Sequence, residues 1–548
     1  MTRYQILTWA VIAILLSCTS PAVFEISQWQ PYDESKMLAD VADHDIQRMQ
    51  LKLVQSKVSD KNDIWDAVRD DISPFSEEQY TELYDLIYER SIVEIQEEIE
   101  QGNLSYEQLT LWYLYRILKY ENDSTTTLHT IIALNPDALE EARSRDKNRA
   151  SHQHPIYGMP ILLKDNINTA GMPTTAGAIA LKDNQTEDAH IVKNLKRHGA
   201  IILGKVNLSE WAYFFCGGCP VGYSAIGGQT LNPYGRGVYE TGGSSSGSGT
   251  STSANYAVGA VGTETSGSIL SPSGKNSVVG LKPTVGLLSR SGIVPISSTL
   301  DTPGPMTKSV IDNAILLSAM TGEDDGDPAT KNKDRTKDYL AVMSDVTLEG
   351  KRLGVRKAFL ERDTLYMMTT EYLKTLGAEI IVYEAPDVSL EGFGQLLSAD
   401  MKRDLPSYID AFAGSDVSVD SIRDVVNFNL EDSLIRAPYG QARLAGAADD
   451  TTSDEDLAAL VSRIREAGKS YFDIPIDEHN LDAVLSIDNY SAGFAAAANY
   501  PCLTIPMGYR DDGAPSNLTF IAPSEQEDKL LRLGYAYEQA SKKRKPPF

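Results

Sequence analysis

Cysteine is scarce in this chain, with four in 548 residues. Cys216 and Cys219 stand in a C-x-x-C arrangement, but no further ligands of similar spacing lie nearby, which excludes a zinc site. A short-loop disulfide formed in an oxidising compartment and a pair of free thiols both stay open, and neither implies catalysis. Positive charge is also short: 50 Lys and Arg against 76 Asp and Glu leave a formal charge of −26. Such a surface repels phosphate backbones and excludes nucleic acid as an expected partner. Long apolar runs are missing too. Ile6 to Leu16, after Arg3, is too short to span a bilayer and gives way to small polar residues, the pattern of a secretory signal. Internal repeats are absent.

Leu15-Leu16-Ser17-Cys18 resembles a bacterial lipobox, in which Cys18 becomes the lipidated first residue; an ordinary cleaved signal is the rival reading. The expectation is therefore an exported bacterial protein, periplasmic or anchored to a membrane through Cys18 rather than embedded in it. An apolar content of 42% and a charged content of 23% describe a globular chain with material for a large core. Residues 1–18 read as the signal, 19–75 as a helical arm or spacer, and 76–548 as the catalytic body.

The organising stretch runs from Thr241 to Gly286. It is crowded with Gly and Ser, yet it contains the apolar run Ala257-Val258-Gly259-Ala260-Val261, short enough for a buried strand. The pattern predicts a loop over 242–249, a short helix, a buried strand and a second tight loop over 263–268. Two serine-bearing loops whose backbone N–H groups are free to point at a ligand suit acyl transfer, while composition alone favours an ordinary Ser/Gly loop pair. Upstream, His154 to Lys164 passes from turn residues into an apolar run ending on a lysine, a strand that delivers a charge to its end. A snorkelling lysine is the plain reading of that end. Ala200 to Gly204 reads as another strand, followed by Asn207 as a helix cap with Glu210 three residues on. Ser105 and Gln108 form a capping-box start. Segments at 354–355 and 378–382 bracket a helix, and 483–485 and 503–508 read as late strands. Apolar runs alternating with helical patterns predict an α/β sheet with helices on both faces.

Four pieces in order carry a family resemblance: Leu163-Lys164-Asp165-Asn166; Gly242-Gly243-Ser244-Ser245-Ser246-Gly247; Gly262-Thr263-Glu264-Thr265-Ser266-Gly267-Ser268; and Gly280-Leu281-Lys282-Pro283-Thr284. Together they resemble the amidase signature family, and the likeness extends from about Val93 to the C-terminus. The resemblance implies a large mixed twisted sheet flanked by helices, core motifs within 154–310, and a variable substrate-facing segment at about 388–470. It implies a Ser–cis-Ser–Lys triad in which Ser268 is the nucleophile, Ser244 the bridging serine and Lys164 the base. It also implies a cis peptide between Gly243 and Ser244, and an oxyanion hole from the backbone of Thr265, Ser266, Gly267 and Ser268, with Gly267 admitting the substrate closely. No cofactor and no metal are implied. Many relatives carry Gly in place of Ser266 and Arg in place of Leu270.

Within the family the chain looks most like the peptide amidase branch, through LLKDNIN, Leu208-Ser209-Glu210-Trp211-Ala212, Gly227 to Pro233 and Asp301 to Met306. The substrate expected from that likeness is a peptide C-terminal amide, released as acid and ammonia; small aliphatic or aryl amides are the alternative. Three rivals differ in class. Gly243 to Gly247 satisfies G-x-S-x-G with Ser245 as a lipase-type nucleophile, but His479 is the only histidine downstream. A tRNA amidotransferase subunit conflicts with the export signal and the acidic balance. A non-catalytic peptide-binding lipoprotein conflicts with an intact Lys164, Ser244 and Ser268.

Overall fold

The apolar runs of the sequence collect into one mixed sheet of eleven strands. The computed structural model describes residues 27–149, 154–333, 337–344 and 346–548, so the signal and lipobox reading, Cys18 included, lies outside the described residues. In chain order the strands are β1 (Ile131–Leu134), β2 (Pro160–Lys164), β3 (Ile201–Val206), β4 (Gly259–Glu264), β5 (Val279–Lys282), β6 (Thr302–Thr307), β7 (Arg352–Arg356), β8 (Glu379–Tyr383), β9 (Ala483–Ile487), β10 (Cys502–Tyr509) and β11 (Pro515–Ile521). They lie in the order β1-β3-β2-β4-β6-β5-β10-β11-β9-β7-β8. β2 runs parallel to β3 and β4, and β7 runs parallel to β8 and β9. Antiparallel pairs join the two parallel sets through β6, β5, β10 and β11.

Helices cover both faces, as the alternating pattern predicts. Helix α1 (Tyr106–Glu121) starts at the expected capping box, where the Gln108 N–H donates to Ser105 Oγ at 3.1 Å and the Ser105 N–H to Gln108 Oε1 at 3.0 Å. Helices α2 (Ser246–Ser253) and α3 (Leu270–Lys275) pack on each other, α2 over β3 and β4 and α3 over β5, β10 and β11. α4 (Val310–Met320) packs with the C-terminal helix Glu527–Ser541. Strands β2, β3 and β4 are buried at every position, the condition for parallel strands covered on both sides.

The structure adds one strand that was not foreseen and corrects two sequence expectations. β6 was not evident, because Thr302-Pro303-Gly304-Pro305 carries residues that usually break a strand. It pairs with β4 along its whole length but with β5 only at Met306 and Thr307, so the prolines fall where one edge is free of a partner. The helix expected after Asn207 is a single turn, Glu210–Tyr213, in which Trp211, Ala212 and Tyr213 have φ of 50°, 52° and 76°. Asn207 does not cap it. Its amide instead donates to Gly228 O at 3.0 Å and Thr230 Oγ1 at 2.9 Å, tying two loops together. The arm before residue 73 is less helical than expected, with short helices at Ser35–Val41, Lys61–Asp66 and Arg69–Ile72. It is held by specific polar contacts: Lys61 Nζ lies 3.0 Å from Glu121 Oε2 and 4.5 Å from the centre of the buried Trp29 ring.

The segment at 388–470 opens with helix α5 (Phe393–Phe412). Its Met401, Leu405 and Tyr408, with Leu444, pack against Trp211, Phe214 and Phe215, while Leu396 and Leu460 pack against Leu300. It therefore roofs the two loops, around 211–215 and 296–301, that flank the serine-bearing stretch. Among the described residues no helix is long and apolar enough to cross a membrane.

Candidate active site

Register brings the first candidates together. β2 and β4 are parallel, with Leu163 opposite Val261, so both strands end side by side with Lys164 close to Thr263. The carboxyl ends of parallel strands are where α/β sheets leave a crevice for ligands. Lys164 is fully buried. Its Nζ lies 2.8 Å from Ser244 Oγ, 2.8 Å from Thr263 Oγ1 and 3.2 Å from the Thr263 carbonyl oxygen. Asn166 Nδ2 donates to the same Thr263 hydroxyl at 3.0 Å. Burial pushes the Lys164 amine down to about 7, although the carboxylates of Asp301 and Glu264 pull in the other direction. The lysine is thus a paired, weakened base rather than a snorkelling surface group.

The loop before α2 supplies Ser244. The Gly243–Ser244 peptide is cis, as the resemblance implies. Gly242 has φ of +64°, and a Cβ on Gly243 would stand 2.5 Å from Val221 Cγ1 and 2.7 Å from Ser209 Oγ, so neither position has room for a side chain. The Ser209 N–H donates to Ser244 O at 3.0 Å, and the Gly247 N–H to Asn207 O at 2.8 Å, which fasten the loop to the end of β3. Ser245 is not free to react: its hydroxyl donates to Thr263 O at 3.0 Å and accepts the Thr263 N–H at 3.2 Å.

Ser268 sits on the loop between β4 and α3 and is half-buried, unlike Lys164 and Ser244. The two serine loops are stitched by the Ser245 N–H, which donates to Ser268 O at 3.1 Å. The buried carboxylate of Glu264 shapes the Ser268 loop from inside. Its Oε1 accepts the Gly267 N–H at 2.7 Å, and its Oε2 accepts those of Ile269 at 2.7 Å and Leu270 at 3.0 Å. This corrects the place of Gly267 in the oxyanion set, because its N–H is committed to Glu264. The space its missing side chain leaves is filled by Asn489, whose Nδ2 would lie 2.9 Å from a Cβ there, rather than kept for substrate. Gly267 is needed for its φ of +86°. Thr265, Ser266 and Ser268 remain as the candidate donors. Thr265 Oγ1 donates to Asp301 Oδ1 at 2.5 Å.

Thr263, Glu264 and Asp301 were given no role in the sequence reading. All three lie inside its motifs, yet only the three-dimensional pairing of strand ends assigns them partners. Cys216 and Cys219 form a disulfide, and the Tyr213 hydroxyl donates to Cys219 O at 2.8 Å, so this short loop braces the Trp211–Tyr213 turn.

Comparison with known proteins identifies the family. A sequence model of the amidase family matches residues 108–435. A probable amidase of Arabidopsis thaliana is 35% identical over 480 residues, covering 84% of this chain and 92% of that protein. The crystal structure of an amidase family protein from Bacillus anthracis superposes with a TM-score of 0.85 at 36% identity, over 90% of this chain and 100% of that one. The structure of a peptide amidase from Stenotrophomonas maltophilia gives a TM-score of 0.80 at 38% identity, over 84% of this chain and 99% of that one. The chain belongs to the amidase signature family and is an amidohydrolase acting on amides.

Proposed function

We propose that the enzyme hydrolyses primary carboxamides through an acyl-enzyme on Ser268, with Ser244 and Lys164 as proton carriers, and that its substrates are the C-terminal amides of peptides. The observation that carries this reading is the 2.8 Å separation of Lys164 Nζ and Ser244 Oγ in a buried site beside the Ser268 loop. A neutral amine has two N–H groups and one lone pair. Thr263 offers two acceptors, its hydroxyl and its carbonyl, which leaves the lone pair for the Ser244 hydroxyl.

The steps follow from that arrangement. Ser268 Oγ attacks the amide carbon while its proton passes to Ser244 Oγ, whose own proton passes to Lys164 Nζ. The carbonyl oxygen becomes an oxyanion that the N–H groups of Thr265, Ser266 and Ser268 stabilise. As the C–N bond breaks, Ser244 protonates the departing nitrogen and recovers a proton from Lys164, so ammonia leaves and the acyl group stays on Ser268. A water molecule then attacks the ester along the same proton path and releases the acid.

The peptide reading is supported by the likeness to a protein named peptide amidase and by the motifs shared with that branch. We also read residues 1–18 as an export signal ending in Cys18; a disulfide between Cys216 and Cys219 suits an oxidising compartment. Incubating amidated peptides with protein lacking residues 1–18, with Ser268→Ala as control, tests the function by mass spectrometry. Conversion of terminal amide to acid, absent in the control, is the expected result. Cleavage of small aliphatic or aryl amides with peptide amides left intact would overturn the substrate assignment.

A further inference from the structure

Asp301 stands one residue before β6. In the antiparallel pairing of β6 with β4, Thr302 faces Glu264 and Pro303 faces Thr263. Continued by one step, that register sets Asp301 opposite Thr265, the first residue of the nucleophile loop. The carboxylate is held at both oxygens: Oδ1 accepts the Thr265 hydroxyl at 2.5 Å, and Oδ2 accepts the N–H groups of Ile296 at 2.8 Å and Ser297 at 2.9 Å. Three donors fix its position and orientation in a way that a solvated surface carboxylate lacks.

Asp301, Thr263 and Thr265 line one small cavity of about 10 Å³ together with Asn166, Arg290 and Ile296. That is room for a single water, and Asp301 also lines an open cavity of about 240 Å³ with Arg290, Ser297 and Tyr408. Lys164 itself is fully buried, so a nearby charge acts on it at an effective dielectric far below that of water. Thr263 forms one wall of the small cavity and also holds Lys164 Nζ. The wall on the Asp301 side therefore supports both halves of the chemistry, the base through Thr263 and the nucleophile loop through Thr265.

We propose that Asp301 is a positioning residue for the reaction: its carboxylate clamps the Thr265 end of the nucleophile loop and places a negative charge that Lys164 feels. This rests on the reading of Lys164 as base and Ser268 as nucleophile. The other charges that face Asp301 are accounted for. Arg290, on the loop after β5, is bound at its Nε by Asp327 at 2.8 Å, so it is shared rather than dedicated to Asp301. From α5, Asp400 accepts the Ser297 hydroxyl at 2.5 Å and Asp404 accepts the Ser298 N–H at 2.5 Å, and Arg403 binds both carboxylates. Glu264 is the second carboxylate felt by Lys164, with Lys282 beside it. Burial pushes Asp301 up to about 6 against the pull of its three donors and Arg290; above that pH it is ionised and favours the protonated form of Lys164.

The test is the pH dependence of kcat/KM on a peptide amide for the wild type, Asp301→Asn and Thr265→Val, with thermal unfolding measured in parallel. Removing the charge frees Lys164 to lose its proton more easily, so the acid limb of Asp301→Asn moves to lower pH, and kcat falls roughly tenfold or more as the loop loosens. Thr265→Val keeps the carboxylate but loses the clamp, along with a hydrogen bond that holds the Asp301 carboxyl down, so kcat falls and any movement of the acid limb is smaller than in Asp301→Asn. Asp301→Ser removes the same charge with less bulk and takes the place of the Asn variant if that one unfolds. An acid limb that coincides in the wild type and the charge-removing variant overturns the proposal. Turnover retained by Lys164→Ala or Ser268→Ala would instead show that the assignment of base or nucleophile is wrong. Loss of turnover in both, with an unmoved limb, removes only the role of Asp301.

Discussion

Lys164 Nζ and Ser244 Oγ lie 2.8 Å apart at the end of a strand with no exposed residue. The pairing joins an amine that burial has weakened to a hydroxyl that cannot ionise by itself, and the reactive Ser268 lies on the next loop. In the proposed reaction a proton travels from Ser268 through Ser244 to a base that solvent does not reach.

The first prediction concerns pH. Only the neutral amine accepts a proton, and Lys164 is held down to about 7 by burial. The rate kcat/KM therefore rises with pH through about 7 and falls about tenfold per pH unit well below it. A steady-state profile on a neutral amide checks this. Lys164→Met abolishes the limb along with most of the activity.

Ser244→Ala removes the bridge and leaves both ends in place. Because the hydroxyl acts in the transition state rather than in binding, kcat falls by roughly a hundredfold to ten-thousandfold with KM little changed. Steady-state kinetics with circular dichroism as a folding control reads the split. A change confined to KM would mean that Ser244 only binds substrate.

Glu264→Gln keeps the side chain's shape but exchanges one acceptor oxygen for an N–H donor that meets the N–H groups of the loop. Leaving such groups unmatched costs roughly 1–3 kcal/mol, and the loop of Ser268 loses its internal anchor at Gly267, Ile269 or Leu270. The expected result is a lower unfolding temperature together with reduced kcat. An acid limb moved to lower pH is expected as well, since a carboxylate that Lys164 feels has been neutralised.

Gly267→Ala strains a backbone at φ +86° and pushes a methyl against Asn489. The left-handed conformation alone costs roughly 1–2 kcal/mol. Pairing it with Asn489→Ala relieves the contact but not the dihedral, so denaturant unfolding of the double variant recovers part of the loss.

Much of this site was legible in the sequence, and the limits are instructive. Lys164 could be placed because an apolar run with no polar interruption ends on it, and Ser244 and Ser268 because glycine-rich loops flank a buried strand. Resemblance supplied their roles. Asp301 was assigned no role because Thr302-Pro303-Gly304-Pro305 carries residues that usually break a strand. Only pairing with β4 makes it a strand and fixes what Asp301 faces. Gly267 was misread for a related reason: a glycine beside a nucleophile looks like space for substrate, whereas here Asn489, more than two hundred residues away in the chain, occupies that space. Asn207 resembles a helix cap locally, but its amide is claimed by Gly228 and Thr230 across the fold. In each case a long-range partner overrode a local pattern.

The central claim is that the acyl group is carried by Ser268. The most direct measurement is intact-protein and peptide-level mass spectrometry of enzyme quenched with acid during turnover of a slowly hydrolysed amide. An added acyl mass on the peptide bearing Ser268, absent from Ser268→Ala, is the predicted result. An adduct on Ser245 or Ser244 instead, or hydrolysis with the same single-turnover rate in Ser268→Ala, would contradict it.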